Sequence, residues 1–97
     1  MALTVKWSKE AKATYESVIS YLKENWTDKE AIAFSNRVES IVSNISHQPY
    51  LFKASNYKRI RKAVIGKQNS LFYLVKESEV LLVTFWNNWR DPKKNKF

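Results

Sequence analysis

The sequence predicts an α+β fold: an N-terminal strand, an antiparallel two-helix hairpin, then three antiparallel strands completing one four-stranded sheet. Three observations carry this. Leu3, Val5 and Trp7 alternate with Thr4 and Lys6, the period of a short half-buried strand. Between Ser8 and Pro49, apolar residues recur at helical spacing in two successive stripes. From Lys58 to Trp86, three strand-like segments are separated by two short polar turns.

The first helix begins after Ser8, whose hydroxyl suits an N-cap. Glu10 sits in the first turn, where the helix dipole favours an anion. Ala11, Tyr15, Val18, Ile19, Leu22 and Trp26 form its apolar stripe, so the helix is expected over about Lys9 to Asn25. Thr27-Asp28-Lys29-Glu30 has the form of a capping box and starts the second helix. Its stripe is Ala31, Phe34, Val38, Ile41, Val42 and Ile45, and Pro49 stops it. So few residues join the two helices that they form an antiparallel hairpin. The sheet is the one surface large enough to receive their combined stripes.

Gln48 to Tyr57 shows no regular period and reads as a loop whose aromatics, Tyr50, Phe52 and Tyr57, seal the edge of the core. The first strand of the C-terminal sheet carries the basic run Lys58-Arg59-Ile60-Arg61-Lys62 and extends through Ile65. Strand alternation puts Ile60 and Val64 on one face, and Arg59, Arg61, Ala63 and Ile65 on the other. Burying an unpaired arginine costs several kcal/mol. Ile60 and Val64 are therefore expected against the helices, with Arg59 and Arg61 on the open face. Gly66 to Asn69 and Lys76 to Glu79 are the turns. The last strand, Val80 to Trp86, is continuously apolar, as suits a central strand. In that position the N-terminal strand would lie beside it in parallel, with the hairpin as crossover.

Residues 1–97 are read as a single domain. With no cysteine and one histidine, His47, neither disulfides nor a multi-histidine metal site holds the chain together. His47 falls in the last turn of the second helix, where a protonated imidazole complements the dipole. No apolar run is long enough to span a bilayer, so no membrane partner is expected and the default location is cytoplasmic. The net charge is +8 and lies entirely in the second half. Residues 1–48 carry six cations and six anions; residues 49–97 carry eleven against three. Such asymmetry points to an anionic partner, either nucleic acid or an acidic protein.

This order of elements, ending in an Arg-Asp-Pro turn, resembles the RelE/ParE family of toxins from type II toxin–antitoxin systems. The residues that carry the resemblance are Val5-Lys6-Trp7-Ser8 with Ala11, Pro49, and Lys58 to Lys62. Leu71-Phe72-Tyr73 and the stretch from Trp86 to Pro92 complete it. The resemblance covers nearly the whole chain. It implies one of two activities. RelE-like members cleave messenger RNA in the ribosomal A site without a metal or other cofactor; ParE-like members inhibit DNA gyrase and are not nucleases. Both kinds are neutralised by a cognate antitoxin, expected here to be acidic where it covers the basic face.

Metal-free RNA cleavage needs a base for the 2′-hydroxyl proton, cations for the phosphate, and an acid for the leaving oxygen. Arg59, Arg61 and Arg90 suit the phosphate, because guanidinium forks match its oxygens. Lys58, Lys62 and Lys67 add positive field along the nucleic acid, and Tyr73 and Trp89 are candidates to stack on a splayed base. Tyr73 also shares its strand face with Leu71 and Val75, so core packing is an equal reading of it. A lysine crowded by cations is a better base, and Lys62 or Lys58 stands nearest. In many ribonuclease members a His or Tyr near the C-terminus takes part in proton transfer. Here that stretch reads Asn87-Asn88-Trp89-Arg90, with neither. Three readings stay open: an RNA-cleaving toxin acting on the ribosome, a ParE-like toxin acting on gyrase, and a basic nucleic-acid-binding domain without toxicity.

Overall fold

A computed structural model describes residues 2–54, 59–66 and 69–87. The elements run β1 (Thr4–Trp7), α1 (Lys9–Asn25), α2 (Asp28–His47), β2 (Arg61–Val64), β3 (Asn69–Val75) and β4 (Glu79–Asn87). The four strands make one mixed sheet in the order β1-β4-β3-β2. β1 lies parallel to β4, with Val5 beside Val80 and Trp7 beside Leu82, and the helical hairpin is the crossover between them. β3 is antiparallel to both of its neighbours.

Local signals set the helix ends. Ser8 Oγ accepts from Ala11 N at 2.9 Å. Thr27 Oγ1 accepts from Glu30 N at 3.2 Å. The Ala11 N–H would otherwise be orphaned at the helix start, and Glu30 N also reaches Thr27 O at 3.1 Å. Ser8 does a second job. Its Oγ donates to Val83 O at 2.7 Å, and its backbone N donates to Leu82 O at 3.0 Å. β1 stops opposite Leu82, so among the described residues no strand lies along that edge of β4 beyond this point. Helix α1 supplies the missing partners: Thr14 Oγ1 also accepts from Phe85 N at 3.0 Å. The register of β3 against β4 shifts between Phe72 and Tyr73, where Phe72 faces Thr84 and Tyr73 faces Leu82. The extra residue is Val83, whose carbonyl the Ser8 hydroxyl meets.

The core joins the hairpin to one face of the sheet. Ala11, Val18, Phe34, Val38 and Ile45 from the helices pack with Ala63, Ile65, Leu71, Tyr73, Val80, Leu82 and Phe85. Trp7, Tyr15 and Phe52 close its margins.

The facing of β2 departs from expectation. Ala63 and Ile65 point to the hairpin, while Val64 is 58 % exposed on the other side. Ile60 is buried, but not among the residues that pack on the helices. Arg61 shares the helix-side face with Ala63, the reverse of the expected arrangement. The reason is that Arg61 is neither unpaired nor under the helices. It stands at the start of an edge strand, where its side chain reaches the loop after α2. Arg59 lies outside β2 with φ 60°, a left-handed conformation that ends strand alternation there. Two aromatics also differ: Trp26 is the C-cap of α1 and 54 % exposed, and Tyr50 is 68 % exposed.

Candidate functional site

The segment Pro49–Ala54 crosses the start of β2 and is pinned by Arg61 and Tyr73, which face each other across β2 and β3. The Arg61 guanidinium donates through Nη1 to Phe52 O at 2.6 Å, a charge-assisted bond. Its Cζ lies 4.8 Å from the centroid of the Tyr50 ring, within cation–π range. An isolated antiparallel bridge joins Ala54 to Arg61. Tyr73 is wholly buried, and its hydroxyl donates to Pro49 O at 3.0 Å. The Phe52 ring meets Tyr73 edge-on, with centroids 6.5 Å apart. Burial pushes the Tyr73 phenol above its ordinary value; a backbone contact at Phe52 and the charge of Arg61 oppose the shift.

These positions revise several expectations. Tyr73 is a core residue with no ring face open to a base. The Arg61 guanidinium gives one of its N–H groups to Phe52 O and one face to the Tyr50 ring. Lys62 is exposed on the face of β2 opposite Arg61. Arg59 is exposed beside them. Arg90, Lys58, Lys67 and Trp89 lie outside the described residues. His47 is exposed at the end of α2, with Nδ1 2.9 Å from Ser43 O. Among the described residues, no group of three His, Cys, Asp or Glu side chains could hold a metal.

The sequence placed Tyr50 at the edge of the core and assigned no role to Leu51, yet they are 68 % and 52 % exposed on this loop. One signal was legible: they follow Pro49 within a stretch, from Ser40 to Lys76, that contains no Asp or Glu.

A profile of the ParE toxin of the type II toxin–antitoxin system parDE matches residues 5–92. The chain belongs to this family. No curated protein matches it by sequence. Solved structures share the fold at low identity. A chromosomal ParDE toxin–antitoxin system from P. aeruginosa superposes with a TM-score of 0.74 at 13 % identity, over 89 % of this chain and 96 % of that one. A YoeB/ParE toxin from Agrobacterium tumefaciens gives 0.66 at 10 % identity, over 88 % and 98 %. The E. coli DinJ-YafQ toxin–antitoxin complex gives 0.62 at 9 % identity, over 92 % and 96 %. As in this ParE-family chain, the recurring architecture is a two-helix hairpin on a mixed four-stranded sheet. Among the described residues, no helix is long and apolar enough to cross a membrane.

Proposed function

We propose that this ParE-family chain is a binding toxin: it inhibits growth by engaging DNA gyrase and is silenced by an acidic cognate antitoxin. The observation that carries this over RNA cleavage is the state of Arg61. The guanidinium expected to steady a phosphate is bonded to Phe52 O and lies against Tyr50. Tyr73, the expected stacking ring, is sealed beneath the same loop. Both residues support a loop, which suits a protein that acts through a shaped surface rather than through proton transfer. The family profile is itself that of ParE.

Among the described residues, the RNA-cleaving reading keeps the support of Lys62, which is exposed on the sheet face away from the hairpin, and of the exposed Arg59. Tightly controlled expression, with DNA supercoiling and messenger RNA integrity followed in parallel, separates the two. Binding to gyrase predicts a change in supercoiling with intact transcripts. Early transcript cleavage with unchanged supercoiling would replace this reading with the nucleolytic one.

A further inference from the structure

The loop after α2 presents an exposed apolar pair. Tyr50 and Leu51 are adjacent and mostly exposed, whereas Phe52 turns inward against Tyr73. The loop is held in this pose from below by the Arg61–Phe52 bond, the Tyr73–Pro49 bond and the Ala54–Arg61 bridge. One face of the Tyr50 ring is taken by Arg61. A pinned loop that displays a tyrosine and a leucine has already lost the freedom that binding would otherwise remove.

The surroundings define the partner by charge. Between Glu39 and Glu77 there is no acidic residue. Lys53, two residues beyond Leu51, and Arg59, two residues before Arg61, are both exposed. An exposed apolar pair in a stretch whose charged residues are all cations fits an acidic peptide carrying an apolar side chain. Leu51 favours a peptide over a nucleotide, because a base stacks on rings and an aliphatic side chain offers it none.

We propose that Tyr50 and Leu51, held out by Arg61, form the anchor point for an acidic segment of the antitoxin. This rests on the reading that an antitoxin silences the chain, and it names one surface that the antitoxin must cover.

The test measures affinity of the co-purified cognate antitoxin for the full-length chain and its variants. Tyr50→Ala and Leu51→Ser should each weaken binding at least about tenfold. Tyr50→Phe, which keeps the ring, should bind as wild type does. Leu51→Ser leaves the Arg61–Tyr50 stack in place, so a loss there is not the result of a loosened loop. Ile32→Ser, at an exposed apolar residue of α2, should change affinity little. Binding should also weaken as salt rises, because exposed charges are screened. Wild-type affinity in both Tyr50→Ala and Leu51→Ser would overturn the surface and leave the antitoxin reading standing. A wild-type chain that no antitoxin holds would remove both. If the two variants instead lose only a single-stranded RNA oligonucleotide, the surface belongs to nucleic acid and the proposal falls.

Discussion

Around α1 and β4, Trp7, Tyr15, Phe34 and Phe85 form a continuous aromatic cluster with centroid separations from 5.3 to 6.5 Å. Around β2, the segment Pro49–Ala54 is held by a few directed contacts from Arg61 and Tyr73. The first region is stabilised by burial, which is non-directional and shared among many neighbours. The second depends on individual polar partners, each replaceable by water once the loop lifts. The first should therefore behave as a scaffold that unfolds only with the whole chain. The second should open locally at lower cost, as functional segments commonly do.

The largest test of this contrast is Phe85→Ala. Removing a buried ring at the centre of the cluster should cost about 3–5 kcal/mol and lower the thermal midpoint by more than roughly 10 °C. Thermal denaturation followed by circular dichroism measures it, and a shift no larger than that of a loop variant would break the comparison.

Arg61→Ala comes next. It removes a charge-assisted bond and a cation–π contact at a half-exposed site, so a loss of about 1–2 kcal/mol is expected. The effect should be local: amide hydrogen exchange should quicken at Leu51 to Ala54 and stay unchanged along α1. Uniform quickening across the chain would mean that the loop and the scaffold are one cooperative unit. Ser8→Ala sharpens the other side, because it removes both the cap of α1 and the donor to Val83 O. A cost of about 1 kcal/mol is expected from equilibrium urea denaturation.

Tyr73→Phe should have the smallest effect near neutral pH, about 1 kcal/mol from loss of the bond to Pro49 O. Its signature is in alkali. The folded-state value of Tyr73 is raised above the ordinary 10.0. Between pH 10.0 and that raised value the unfolded chain has released the phenolic proton while the folded chain keeps it. The contribution of Tyr73 is therefore complete below pH 10.0 and is lost as pH rises through its folded value. Urea denaturation from pH 8 to 11 should show stability falling more steeply in the wild type than in Tyr73→Phe. Equal slopes would show that the buried phenol is not what titrates.

Much of the scaffold was legible residue by residue. The stripe from Ala11 to Leu22, the caps at Ser8 and Thr27, and the parallel placement of β1 beside β4 all emerged where expected. These are signals of period and local hydrogen bonding, and they act within a turn or two of chain. The face of β2 was not legible. The rule against burying arginine is sound, but it presumes that the arginine has no partner, and Phe52 O and Tyr50 come from a loop without periodic signal. Tyr73 was ambiguous for the same reason: alternation placed it with Leu71 and Val75, and only its hydroxyl partner at Pro49 shows that its polar end is satisfied inside.

The sequence alone determined which segments become helix or strand, how they follow one another, and where the excess positive charge lies, because period, capping and composition are properties of neighbouring residues. Tertiary structure decided which way a four-residue edge strand faces and what its arginine does. Alternation offers two equivalent answers there, and the choice falls to contacts made by a loop many positions earlier in the chain.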